Sequence, residues 1–145
     1  MELKRISEVA KDLEELASTA QAEGHGNVMV LVSEFRSSVN RFALPGEAMF
    51  GAYVNEMLVG VGGLNIDPYY ANAKIGRVRR LYIHHRWRRE GIGAEMMRRI
   101  EGEAARQFSV LQLFTTSELA GAFYESLGYL RQTQYKVSHA KHLSA

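Results

Sequence analysis

Residues 77–107 read RVRRLYIHHRWRREGIGAEMMRRIEGEAARQ: an apolar strand, a basic turn containing Gly91-Ile92-Gly93, and an amphipathic helix. Two glycines at the mouth of a helix let backbone N–H groups converge on a ligand without side-chain obstruction. The helix dipole adds partial positive charge there. The arrangement is suited to an anion, and a phosphate-bearing ligand is expected. Two common phosphate motifs are excluded by detail. A P-loop needs Lys-Ser or Lys-Thr after its last glycine, and Gly93 is followed by Ala94-Glu95. A dinucleotide fingerprint needs a third small residue where Met96 stands, and an acidic residue about 20 positions later, where Leu113 to Thr116 lie.

The pattern that remains is Arg88-Arg89-Glu90-Gly91-Ile92-Gly93 after a strand ending Leu81-Tyr82-Ile83. It resembles the acyl-CoA pyrophosphate loop of the GNAT superfamily of N-acetyltransferases, Arg/Gln-x-x-Gly-x-Gly/Ala. About thirty residues later, Glu118 to Tyr129 read ELAGAFYESLGY. This is similar to that family's second hallmark, a short helix carrying Phe-Tyr-Glu and closed by Leu-Gly-Tyr. The resemblance spans roughly Ala48 to Val137.

The resemblance implies an α/β (α+β) fold: a mixed, mostly antiparallel sheet of six to seven strands with a central splayed parallel pair, flanked by about four helices. It further implies that acetyl-CoA is the co-substrate and that its pantetheine arm pairs with the backbone of Leu81, Tyr82 and Ile83. The pyrophosphate would lie on the amides of Arg88, Arg89, Glu90, Gly91, Ile92, Gly93 and Ala94, with Phe123 beside it. Tyr124 matches the family's general acid, and the backbone N–H of Leu81 its oxyanion donor. Some members carry a glutamate as general base four residues before that donor, where this chain has Arg77.

Composition sets the other bounds. A chain of 145 residues, 46% apolar, suits one domain, expected to span 1–145. No apolar run approaches the ~20 residues of a membrane span, and the polar N-terminal segment does not read as a signal peptide; a cytoplasmic protein is expected. The absence of cysteine excludes disulfides, thiolate metal sites and a cysteine nucleophile, so acyl transfer would go directly or through another residue. The adjacent His84-His85 lacks a third ligand at a recognisable spacing, and no metal is expected.

Charge is distributed unevenly. Residues 74–99 hold nine basic and two acidic side chains, leaving nine basic against 14 acidic elsewhere. The basic segment is read as serving the anionic cofactor. Glu34, Glu47 and Asp67, with Arg41 and Phe42, are candidates for the acceptor side, and the acidic balance predicts attraction of a cationic amine. The acceptor is a small-molecule or protein amine. Monomer and homodimer are both open, and neither a membrane nor a nucleic-acid partner is expected. The basic helix interleaves Glu95 and Glu101 and lacks the aromatic platform of a single-strand binder. The alternative function is a non-catalytic acyl-CoA-binding regulatory domain.

Along the chain, Leu3 to Ile6 predicts a strand. Ser7 is read as the N-cap of a helix carrying Val9, Leu13, Leu16, Ala17 and Ala20 at helical spacing. A second helix from Asn27 places Val28, Leu31, Val32, Phe35 and Val39 on one face. Residues 48–54 and 58–64 form a hairpin joined at Asn55-Glu56. Residues 110–114 are a strand parallel to 77–83, residues 118–127 the last helix with Gly128 as a left-handed cap, and 129–137 the closing strands. The tail from Ser138 is expected to fray.

Overall fold

The structure is a computed structural model that describes residues 1–143. Seven strands, β1 (Glu2–Arg5), β2 (Ala48–Val54), β3 (Met57–Ile66), β4 (Ile75–Ile83), β5 (Val110–Leu113), β6 (Leu130–Gln134) and β7 (Val137–His142), form one sheet in the order β1-β2-β3-β4-β5-β7-β6. Only β4 and β5 run parallel; every other neighbouring pair is antiparallel. The four helices are α1 (Lys11–Ala22), α2 (Asn27–Arg36), α3 (Ile92–Ala104) and α4 (Glu118–Ser126). The expected fold class holds in strand number, helix number and the single parallel pair. None of the helices described is long and apolar enough to cross a membrane.

Each sheet face has its own core. Ile92, Met96, Met97, Ile100 and Ala104 of α3 pack against Phe50, Leu64, Val78 and Leu111 of the sheet. Their three-to-four-residue spacing turns one stripe of α3 inward, so both methionines are packing residues. On the opposite face Leu13 and Leu16 of α1 and Val28, Leu31 and Val32 of α2 meet Met49, Val61 and Tyr82. Gly63 makes this second core possible, because a Cβ there would lie 2.3 Å from the Phe42 ring. Phe42 therefore belongs to the α1–α2 core, 4% exposed, and not to an acceptor surface.

Three sequence expectations are corrected. Ser7 does not cap α1; the extended residue before it is Ala10. Ile6 still donates to the Met49 carbonyl, so the chain must leave the sheet edge before it can turn helical. α2 ends at Arg36, and Ser38 adopts φ +65°, which rotates Val39 into solvent. Residues 138–142 are ordered within β7, pairing with β5 through Val110↔His142 to Leu113↔His139, and residues 144–145 of that tail lie outside the described residues. Its buried positions are Val137 and His139, and the imidazole conceals the apolar alternation that marks a strand. The left-handed cap was legible: Gly128 has φ +95°, and Tyr129 N–H to Tyr124 O with Gly128 N–H to Glu125 O completes a Schellman pattern.

Candidate active site

β4 and β5 are registered only at Ile75↔Val110, Gly76↔Leu111 and Arg77↔Gln112. Beyond Arg77 the strands part, and a cleft of about 1260 Å³ opens between them. Leu81 to Ile83 line one wall, Leu113 to Thr115 and α4 the other. Backbone groups of a strand without a neighbour need partners, and the cleft offers them to an extended ligand.

At one end of the cleft stands the N-terminus of α3. Its cap, Gly91, is left-handed at φ +82°, a conformation costly for residues with a Cβ, and no side chain caps the helix. The first backbone donation inside the helix comes from Glu95 N–H to Gly91 O, which leaves the N–H groups of Ile92, Gly93 and Ala94 for a ligand. A Cβ at Gly91 would meet nothing within 4 Å, whereas one at Gly93 would press on the Phe123 ring at 3.2 Å. These features fit an acyl-CoA pyrophosphate. Arg88, Arg89, Gly91, Ile92, Gly93, Ala94 and Phe123 all line the cleft, while exposed Glu90 stands outside its wall.

The Arg88 side chain serves the scaffold. Its guanidinium grips both oxygens of Glu23 at 2.6 and 2.9 Å and donates through Nε to the Ile83 carbonyl at 3.0 Å. The Tyr82 hydroxyl donates to Glu23 at 2.6 Å. Arg88 and Tyr82 together pull the Glu23 carboxyl down to about 2, while burial and that carboxylate push the Tyr82 phenol up to about 12. The C-terminal end of α1 is thereby tied to the turn that presents the free amides of α3. His84 and His85 stack at 4.4 Å in the same turn, and His84 Nδ1 accepts from Arg86 N–H. Burial, with the charge of His85, lowers the His84 imidazole.

Midway along β4 the pairing with β3 steps from Val61↔Tyr82 to Gly63↔Arg79, one extra residue on β4. Arg80 in this bulge has φ +60°. The bulge leaves the Leu81 side chain against Met96 and Ile100 of α3, while Arg80 and Tyr82 point to the α1–α2 face. The Leu81 carbonyl accepts from Asn27 Nδ2 at 3.3 Å. Across the gap, Tyr124 packs edge-on against Phe123 and Tyr129, ring centroids at 5.2 and 5.7 Å. Burial pushes its phenol up, so it stays protonated at neutral pH. Tyr124 lines the cleft.

The acceptor side differs from the sequence expectation. Glu47 accepts from the Leu44 and Ile66 backbone N–H groups, a structural role. Asp67 forms a buried ion pair with Arg77 at 2.9 Å and accepts from Tyr69 N–H. Glu34 pairs with Arg80 at 2.9 Å, and Arg41 lies over the Phe35 ring on the surface. None of Glu34, Arg41, Phe42, Glu47 and Asp67 lines the cleft, and no carboxylate does among the described residues. The wall consists instead of His25, Asn27, Tyr69, Arg77, Arg79 and Arg80, closed by Tyr135 and Lys136 from the β6–β7 turn. The basic segment therefore splits: Arg88 and Arg89 stand at the α3 end of the cleft, whereas Arg77, Arg79 and Arg80 lie on the remaining wall. The spacing Arg77-x-Arg79 was the available signal, since alternation puts both on one face of a strand.

The acetyltransferase (GNAT) domain family matches residues 45–131 of the chain. No curated protein matches it. Among solved structures, a candidate acetyltransferase of Exiguobacterium sp. 255-15 superposes with a TM-score of 0.86 at 26% identity, over 97% of this chain and 92% of the other. An acetyltransferase of Streptococcus agalactiae 2603 gives 0.75 at 19% identity, over 98% of each chain. Ard1 of Thermoplasma volcanium gives 0.71 at 15% identity over the full length of both. With the open β4–β5 gap, the uncapped α3 N-terminus and the matched residues in agreement, the chain belongs to the GNAT acetyltransferase family.

Proposed function

We propose that the protein transfers an acetyl group from acetyl-CoA directly to an amine in a ternary complex. The observation that carries this reading is the continuous cleft from the free amides of α3 past the Leu81 bulge to Tyr124. Ile92, Gly93 and Ala94 would hold the pyrophosphate, the β4 backbone the pantetheine arm, and Leu81 N–H the oxyanion. The neutral amine nitrogen forms a bond to the acetyl carbon, the carbon–sulfur bond breaks, the nitrogen gives up one proton to solvent, the CoA thiolate takes one from the Tyr124 hydroxyl, and the Tyr124 phenolate regains its proton from solvent. With no carboxylate on the wall, the amine enters already neutral, and the rate rises with pH as the acceptor loses its proton.

CoA selective for the native state raises the melting temperature by mass action, equivalent to about 2.7 kcal/mol at a hundred times its Kd. Thermal melting with CoA, followed by thiol release from acetyl-CoA across a panel of amines, tests the proposal. Stabilisation without thiol release from any amine would identify the non-catalytic acyl-CoA binder instead.

A further inference from the structure

We infer that the amine acceptor also carries an anionic group, held by Arg77, Arg79, Arg80 and Lys136. The inference rests on the acetyl transfer proposed above and specifies the substrate class for that same cleft. Arg77 is 4% exposed; its Nε meets Asp67 at 2.9 Å, while its Nη2 is buried without a hydrogen-bond partner. Arg80 repeats the pattern, with Nη2 on Glu34 at 2.9 Å and a buried, partnerless Nε. Burying a charged donor without an acceptor is costly, and a bound anion relieves it. Half-buried Arg79 and exposed Lys136 form no ion pair among the described residues.

Their positions narrow the ligand. Asp67 and Glu34 offset Arg77 and Arg80 from outside the cleft wall, which leaves the charges of Arg79 and Lys136 uncompensated at this end of the cleft. The CoA phosphates do not account for them: the strand from Arg77 to Ile83 spans roughly 20 Å, and the phosphate amides lie beyond its far end. Tyr69 bridges the groups, with Arg77 at 4.9 Å and Lys136 at 5.5 Å from its ring centroid. The Tyr70 hydroxyl ties this loop to the Tyr135 carbonyl at 2.8 Å, so the cations converge from β4 and the β6–β7 turn. Planar guanidinium groups match carboxylate and phosphate oxygens in geometry and charge. Because Arg80 adjoins Leu81, the anion binds close to the amine, as in an aminocarboxylate or an aminophosphonate.

Thiol release from saturating acetyl-CoA would be followed with aminocarboxylates of increasing chain length, their carboxamides, the matching aminophosphonates and a diamine. An anionic acceptor is expected to exceed its neutral partner in kcat/KM by about 10- to 100-fold, with added salt narrowing the gap. Either anion outcompeting the neutral and cationic amines supports the inference, and their ranking identifies the head group. Arg79→Gln and Lys136→Gln should raise KM for the anionic acceptor several-fold more than for the carboxamide, with Arg79→Lys restoring part of the loss. A CoA melting shift accompanied by equal or better use of carboxamide or diamine, or by no release with any anionic acceptor, overturns the inference alone. Absence of a CoA shift overturns the transferase reading beneath it.

Discussion

Tyr124 occupies a packing position on the cleft wall and is the general acid proposed above. Its ring fills the space between Phe123 and Tyr129, and its hydroxyl makes no hydrogen bond within the described residues. Tyr124→Phe should therefore leave the fold and the CoA melting shift nearly unchanged while lowering turnover about 100- to 10,000-fold, the range general acid catalysis supplies. Wild-type turnover in that variant would leave Tyr124 a packing residue. Because burial raises the phenol, protonation persists above its ordinary value of 10, so the pH–rate profile should climb with amine deprotonation and show no Tyr124 limb below about pH 10. This residue was legible because Phe123-Tyr124-Glu125 lies in a long, ordered motif. Arg80 was not legible as a cleft residue, because a one-residue bulge leaves no trace in hydrophobic periodicity.

Among the elements, the turn between β4 and α3 depends on contacts from both sides. Gly93→Asp would set a carboxylate among the free N–H groups and press its Cβ on Phe123 at 3.2 Å, and should abolish the CoA melting shift in a folded protein. An unchanged shift would remove the phosphate-loop assignment. The Glu23 clamp has a separate signature. Its carboxyl titrates near 2 in the folded protein against an ordinary 4.5, so its stabilisation is complete above about pH 4.5 and disappears as pH falls through 2. Glu23→Gln should thus melt lower than the native chain at pH 7, with the two curves converging toward pH 2; a gap independent of pH would mean that the carboxylate is not the source. Glycine and amphipathic stripes announced α3 and α4, but nothing in the local sequence announced this clamp, which joins residues 65 positions apart. β7 was missed for a related reason: His139 is buried on Glu125 at 2.7 Å, a contact that exists only once α4 and the sheet are assembled.

Across the whole molecule, the two cores grip opposite faces of a sheet whose centre opens beyond the third β4–β5 pair. Arg77 sits at that point of divergence, paired across the sheet with Gln112 and charge-paired with Asp67. The motif-bearing half, residues 77–129, was readable because its glycines and its Phe-Tyr pair stand in contiguous stretches of sequence. The acceptor half was not, because it is assembled from α2, the Tyr69 loop and the β6–β7 turn, distant in sequence and individually ordinary. Glu34 and Asp67 are paired with Arg80 and Arg77, and Glu47 is held by backbone N–H groups, so the acidic balance outside residues 74–99 does not describe the residues that line the cleft. Stability and selectivity at Arg77 can be separated. Asp67→Ala leaves a buried guanidinium uncompensated and should cost about 3–5 kcal/mol in urea unfolding, whereas replacing both partners, Asp67→Leu with Arg77→Met, removes both charges and should recover most of that loss. Only the Tyr69 N–H then lacks its acceptor, at about 1–3 kcal/mol. The double variant should fold, retain the CoA melting shift and show a reduced preference for anionic acceptors. If Asp67→Ala unfolds at the native urea concentration, the pair does not hold the divergence point; if the double variant keeps full anionic preference, Arg77 contributes structure alone.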